Sequence, residues 1–262
     1  MTRVGFIGTG RMGAPMVGRL VNAGHEVRAL SRTPEKASAV EHLGASVVND
    51  PVAVAEGADA VIVCVFTDDQ VREVCLADSL VAAMSPDAVL VVHTTGSPRT
   101  AQSIAALGVD VVDAPVSGGP HDVAAGRVTL FVGGEDDAVK RVRPLLSSYG
   151  DPVLHVGRAG TGQLVKLINN ALFAAQIGLV AEGVRLGGLL GVAEPTLLEA
   201  LTHGSAASRA LGNIGRAGST RAFIDSVGDF IGKDVAMVRA TVAELGGDLG
   251  PLSEIVETAL HR

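Results

Sequence analysis

Residues 4–13 read Val4-Gly5-Phe6-Ile7-Gly8-Thr9-Gly10-Arg11-Met12-Gly13, a short apolar strand pattern followed by G-x-G-x-x-G. A helical pattern over Met12–Ala23 comes next. In that setting the first glycine permits a tight turn, the second lets backbone approach a pyrophosphate, and the third lets helix pack on strand. The phosphates would rest on N–H groups at the helix N-terminus. Gly8, Gly10, Arg11, Met12 and Gly13 are therefore candidate dinucleotide-binding residues. An isolated G-x-G-x-x-G also occurs as a structural turn, so the flanking strand and helix carry the reading.

Outward from this loop the same alternation continues. Strand patterns recur at Val27–Leu30, Ala45–Val48, Ala60–Val65, Val89–His93, Val109–Asp113, Thr129–Val132 and Val153–Val156. Apolar spacing near 3.6 marks helices at Pro34–Leu43, Asp68–Ala77, Pro98–Leu107 and Glu135–Ser147. The strands are continuous apolar runs, as expected for a parallel sheet covered on both faces. The fold class is α/β: an N-terminal Rossmann-type, doubly wound and mostly parallel sheet over residues 1–157, binding NAD(P). An all-α domain for substrate and dimerisation is expected over 158–262. There, Gly162–Leu190 is helical and apolar nearly all round, the pattern of a helix buried between domains or subunits. Further helices are expected at Glu194–Thr202, Lys233–Leu245 and Leu252–His261, while Gly212–Gly228 gives no clear pattern.

Composition narrows the function classes. The 262 residues are 47% hydrophobic and 3% aromatic, with no Trp and one Tyr. Stacking platforms for single-stranded nucleic acid are thus essentially absent. With 21 basic against 28 acidic residues the net charge is −7, a poor match for a phosphate backbone. Ala60–Phe66 is the longest uninterrupted apolar stretch, far short of the roughly 20 residues that span a bilayer. No signal-peptide pattern fits the N-terminus, and Cys64 and Cys75 read as buried, reduced thiols. The expectation is a soluble cytoplasmic protein with no metal, no nucleic acid and no membrane partner.

Three further stretches carry chemistry. At the end of the second strand an NAD site usually places Asp or Glu to hold the ribose 2′-hydroxyl. This chain has Ser31-Arg32-Thr33 instead, and a guanidinium flanked by hydroxyls suits a 2′-phosphate, favouring NADP(H) over NAD(H). Asp113-Ala114-Pro115-Val116-Ser117-Gly118-Gly119 ends another strand; Ser117 offers a hydroxyl, and the glycines offer N–H groups to a substrate carboxylate. In Gly160–Asn170, Lys166 and Asn170 lie four apart on one helical face. An inward lysine there has its pKa depressed by desolvation, whereas a snorkelling surface lysine fits the spacing equally well. Phe66 and Thr67 follow a strand and are candidates to line the nicotinamide, with a core Phe the alternative. His93 and His121 lie near these loops, and a solvated loop role suits His121.

Taken in order, these elements resemble the β-hydroxyacid dehydrogenase family, which includes 3-hydroxyisobutyrate dehydrogenases, tartronate semialdehyde reductases and glyoxylate/succinic semialdehyde reductases. Gly5–Gly13 with Met16 is similar to its N-terminal signature, Asp113–Gly119 to its substrate loop, and Gly160–Asn170 to the start of its catalytic helix. Lys233-Asp234 resembles a late Lys-Asp pair. The resemblance implies that Lys166 is the catalytic lysine, that Asn170 orients it or the substrate, and that Ser117, Gly118 and Gly119 hold a carboxylate. It places Thr95 near nicotinamide and substrate and Lys233 at the cofactor, and it matches Ser31-Arg32-Thr33 to the Asn-Arg-Thr of NADP-preferring members. Val92 and Ser226 stand where the family often has Asp and Phe, which leaves the shape of the substrate pocket open. Imine reductases share the architecture but usually replace the lysine kept here at Lys166.

The expected function is an NADP-dependent oxidoreductase that interconverts a small 3-hydroxy acid and its semialdehyde by hydride transfer. A non-catalytic NADPH-binding sensor or scaffold, and an imine reductase-like enzyme, are the alternatives. The expected partners are a small carboxylated substrate and further copies of the chain, in a homodimer or homotetramer built through the helical domain.

Overall fold

The computed structural model describes residues 1–77, 79–244 and 246–260, and among them the sheet has nine strands. The chain begins β1 (Arg3–Ile7), α1 (Gly13–Asn22), β2 (Glu26–Leu30), α2 (Pro34–His42), β3 (Ser46–Val48), α3 (Pro51–Ala55) and β4 (Ala60–Val63). It continues with α4 (Asp68–Arg72), α5 (Leu80–Ala83), β5 (Val89–Val92), α6 (Pro98–Ala105) and β6 (Asp110–Asp113). Then follow β7 (Val116–Ser117), α7 (Pro120–Ala124), β8 (Val128–Gly133), α8 (Asp136–Leu146) and β9 (Gly150–Gly157). The strand order is β3-β2-β1-β4-β5-β6-β8-β7, with β9 on β8. From β3 to β6 every pairing is parallel, and β8 turns antiparallel to β6 and β7. That order reverses beside β1, where a doubly wound sheet opens a binding crevice at its carboxyl edge.

Strand alternation divides the core. Val4, Phe6, Ile62 and Val91 point to one face, beneath Met16, Leu20, Val139 and Val142. Ile7, Val61, Val63 and Leu90 point to the other, beneath Val54, Val71, Leu80 and Ile104. Helix starts are set by local chemistry: Thr33, Asp50 and Ser97 each accept a backbone N–H, and each is followed by Pro at the first helical position. The segment Asp68–Ala77, which reads as one helix in the sequence, divides into α4 and a π-helical turn over Glu73–Ala77. Val71, Val74 and Cys75 stay buried through it.

By contact density the chain forms two units, residues 1–166 and 167–262. Helix α9 (Thr161–Leu189) starts in the first and runs on as the first element of the second. It is followed by α10 (Glu194–Thr202), α11 (Arg209–Ala217), α12 (Thr220–Glu244) and α13 (Leu252–Leu260). The glycine-rich stretch after Gly212 is largely helical: Ser208 caps α11, Leu211 and Ile214 bury its apolar side, and Gly218 ends it at φ 84°. The expected helix from Lys233 is thus the second half of a longer helix that the structure follows to Glu244, and Leu245 and His261 lie outside the described residues.

Within the single chain only one side of α9 is covered. Ala174, Ala175 and Ile177 enter the helical core with Leu198, Leu211 and Val235, but Ile168, Leu172, Leu179 and Leu186 are exposed. By length and composition α9 is also apolar enough to cross a membrane, with an 18-residue window of mean hydropathy 1.5. A search for uninterrupted apolar runs misses it because Gln163, Lys166, Asn169, Asn170 and Gln176 break the run.

Candidate active site

In the strand-rich unit the sequence-predicted residues collect on loops at the carboxyl ends of β1, β2, β4, β5 and β6, plus the first turns of α9. The three motif glycines differ in their surroundings. Gly8 has φ 102°, and a Cβ on it would lie 2.1 Å from the Cys64 carbonyl oxygen. A Cβ on Gly13 would lie 2.0 Å from the Gly8 carbonyl oxygen and 2.9 Å from Phe6. Gly10 is exposed and a Cβ there would meet nothing within 4 Å. Two glycines therefore close the turn, and the third leaves open room in front of it. The first turn of α1 holds no acidic residue, and its cap position, Met12, makes no side-chain capping bond. This uncapped helix start facing open room fits a pyrophosphate.

At the end of β2, Arg32 and Thr33 are exposed and no carboxylate stands between β2 and Pro34. Ser31 departs from the expected phosphate-contacting role. It is buried, and its hydroxyl donates to the Thr33 carbonyl at 3.2 Å. It shapes the turn, leaving Arg32 and Thr33 as the outward groups.

The loops after β4 and β5 are tied together. Thr94 Oγ1 donates to the Val65 carbonyl and accepts from the Val65 N–H, both at 3.0 Å. Phe66 is 62% exposed, which excludes the core alternative, and Thr67 is engaged as the cap of α4 in a capping box with Gln70. Thr95 is half-buried between Thr94 and Gly96. Asp68 Oδ1 accepts the Ser97 N–H at 3.2 Å, and its Oδ2 accepts the Thr100 hydroxyl at 2.7 Å.

In the loop after β6, Ser117 is half-buried and Gly118, at φ 141°, is exposed. Gly119 is partly corrected: its N–H already donates to Asp122 Oδ2 at 2.8 Å. His121 is exposed beside it, 3.3 Å from Asp122. His93 belongs to the core. Its Nδ1 lies 2.6 Å from the Ala114 carbonyl, which can only accept, so Nδ1 carries the proton; Nε2 then accepts from the Tyr149 hydroxyl at 2.8 Å. Burial pushes its pKa down to about 4 and keeps the ring neutral.

Two residues that sequence reasoning gave no role complete this unit. Asp113 is fully buried at the end of β6 and accepts N–H groups of Gly160 (2.6 Å) and Gln163 (2.8 Å). Desolvation raises its pKa to about 6 against those hydrogen bonds. Gln163 in turn accepts from Gly96 N–H at 2.9 Å and donates to the Thr94 carbonyl at 2.8 Å. Lys166, half-buried, follows on α9 one turn later. A sequence signal for Asp113 did exist, since an Asp ending a buried strand needs internal partners.

In the helical unit, Asn170 is buried, and its amide is engaged at both ends. Nδ2 donates to Asp234 Oδ2 at 2.8 Å, and Oδ1 accepts from Asn169 Nδ2 at 3.1 Å. Lys233 Nζ lies 3.7 Å from Asp234 Oδ1.

Residues 3–157 match the family described as the NAD binding domain of 6-phosphogluconate dehydrogenase. Residues 160–261 match the one described as NAD-binding of NADP-dependent 3-hydroxyisobutyrate dehydrogenase. A probable 3-hydroxyisobutyrate dehydrogenase of Mycobacterium tuberculosis is 39% identical over 207 residues, 77% of this chain and 69% of the relative. An NAD-dependent L-serine dehydrogenase of Pseudomonas aeruginosa is 33% identical over 216 residues, 80% of this chain and 72% of the relative. The solved structure of the Mycobacterium tuberculosis 3-hydroxyisobutyrate dehydrogenase with L-serine superposes at a TM-score of 0.88 and 30% identity, over 98% of this chain and 92% of that one. Together with the cradle, these define an NAD(P)-dependent oxidoreductase. The chain belongs to the β-hydroxyacid dehydrogenase family and is of the 3-hydroxyisobutyrate dehydrogenase type.

Proposed function

We propose that this enzyme is an NADP-preferring cytoplasmic dehydrogenase that interconverts a small 3-hydroxy acid and its semialdehyde, with Lys166 as the proton-transferring group. One observation carries the reading. Within the strand-rich unit, the loop bearing Thr95 and the strand end that leads to Ser117 are each tied to the start of the helix bearing Lys166, through Gln163 and Asp113.

A bound nicotinamide supplies or accepts a hydride at the carbon being reduced or oxidised. Lys166 donates a proton to the carbonyl oxygen as negative charge develops there in reduction, and takes it back from the hydroxyl in oxidation. Ser117 and Gly118 hold the substrate carboxylate, and Gly119 joins them when its N–H is released by Asp122. Thr95 borders the reacting carbon, and Phe66 and Thr67 border the nicotinamide. Gly8, Gly10, Arg11, Met12 and Gly13 hold the pyrophosphate, and Arg32 with Thr33 holds the 2′-phosphate. The retained Lys166 argues against imine reduction.

The apolar side of α9 supports assembly of the helical unit into a dimer or tetramer, because Leu172, Leu179 and Leu186 recur at seven-residue spacing and are exposed. Light scattering at micromolar concentration checks this; a stable monomer contradicts it.

The activity itself is tested by nicotinamide absorbance. NADPH and NADH are each offered with glyoxylate, succinic, tartronate and methylmalonate semialdehydes, and NADP+ and NAD+ with 3-hydroxyisobutyrate and L-serine. Turnover of at least one small carboxylated compound, faster with the phosphorylated cofactor, is expected. Tight cofactor binding with no turnover on any of them would mean a non-catalytic binding module.

A further inference from the structure

Asp113 is a carboxylate held entirely away from solvent, and removing such a charge from water costs several kcal/mol unless polar groups meet it. The groups that meet it, the N–H of Gly160 and of Gln163, belong to the start of α9. The field of that helix end favours the negative charge. Space has been cleared for the contact. A Cβ on Gly133 would lie 2.6 Å from Asp113 Oδ1, and one on Gly162 would lie 2.7 Å from Oδ2. Buried Gln163 makes a second tie, accepting from Gly96 N–H and donating to the Thr94 carbonyl. Four directed hydrogen bonds thus join the first turn of α9 to the ends of β5 and β6. Apolar packing would hold a helix to a sheet without fixing its rotation or its height. Directed bonds fix both, and Lys166 lies only three residues beyond Gln163.

We propose that Asp113 and Gln163 are positioning residues for Lys166: they pin the first turn of α9 to the loops bearing Thr95 and Ser117, and so set where the lysine amine meets the substrate. The inference rests on the proposed role of Lys166 in proton transfer. A displacement of about 1 Å at a reacting group costs up to roughly 100-fold in rate, which makes such pinning a kinetic matter as well as a structural one.

The test uses Gln163→Met, which keeps length and loses both hydrogen bonds, and Asp113→Asn, which turns one acceptor into a donor facing N–H groups. Each is made alone and in a Lys166→Ala background, with kcat, KM, the pH profile of kcat and NADPH affinity measured. Gln163→Met is expected to lower kcat by on the order of 10- to 100-fold and to displace the pH profile, with NADPH affinity unchanged within about twofold. In the Lys166→Ala background the same substitution should change kcat by less than about twofold, because the group it positions is already gone. An equal loss in both backgrounds, or no loss with Lys166 present, overturns the positioning role. Should Lys166→Ala alone turn over like wild type, the reading of Lys166 fails and the positioning role falls with it. If Asp113→Asn does not fold, Gln163→Met decides.

Discussion

The strand-rich and helical units dispose of their apolar surface in opposite ways. The central strands β1, β4, β5 and β6 are sealed on both faces, and the buried polar groups at their carboxyl edge, Thr94, His93 and Asp113, are held by short directed bonds to other elements. The helical unit buries Ile177, Leu198 and Leu211 but leaves Leu179, Leu186 and Leu189 on the same long helix in the open. Cross-strand polar ties place side chains closely, which suits chemistry. An open apolar side places nothing, and suits another copy of the chain. Under the proposed assembly, precision and adhesion would fall to different parts of one sequence.

The largest stability effect expected in this contrast is at Ile177, which is fully buried. Ile177→Ala should lower the unfolding free energy by about 2–5 kcal/mol in urea titrations, through lost burial plus the cavity left behind.

Next comes the acid sensitivity of the sheet. His93 titrates near its ordinary value of 6.5 when unfolded and at about 4 when folded, so the folded state binds fewer protons between those values. Its stability contribution is complete above pH 6.5 and is lost as pH falls towards 4. Asp113, pushed up to about 6, acts in the opposite direction below that pH, so the comparison must be between wild type and His93→Gln. From pH 7 to 4.5 the wild type should lose roughly 2–3 kcal/mol more than the variant. Parallel losses would mean that His93 is not held neutral.

A smaller effect belongs to the outward edge. Arg32→Ala should weaken NADPH binding by on the order of 10- to 150-fold, since hydrogen bonds to charged groups contribute about 1.5–3 kcal/mol, while NADH affinity barely changes. Equal changes for both cofactors would show that Arg32 does not read the phosphate.

The smallest effect is expected at Leu179, two residues from Ile177 but exposed. At concentrations where the protein is monomeric, Leu179→Ala should shift unfolding by less than about 0.5 kcal/mol. A loss matching that of Ile177→Ala would place Leu179 in the core of a single chain.

What the sequence disclosed follows the reach of each interaction. The Gly8–Gly13 turn and the Lys166–Asn170 spacing are local, so neighbouring residues suffice to read them. The parallel sheet was legible because strands buried on both faces leave continuous apolar runs. Asp113 and Gln163 were not assigned roles because their partners lie 47 to 69 residues away. The internal bonds of Ser31 and Gly119 were hidden for the same physical reason: a hydroxyl or N–H that looks available in sequence has an internal partner in the fold. At α11, glycine's poor helix propensity concealed a regular Leu211–Ile214 spacing that packing enforces.

Lys166→Ala tests the central claim most directly. Turnover on the best substrate of the panel is compared with wild type, and NADPH affinity is measured on the same samples. The account predicts a kcat loss of roughly 10²–10⁴-fold with cofactor affinity preserved. Near wild-type turnover by a variant that binds NADPH normally would contradict it.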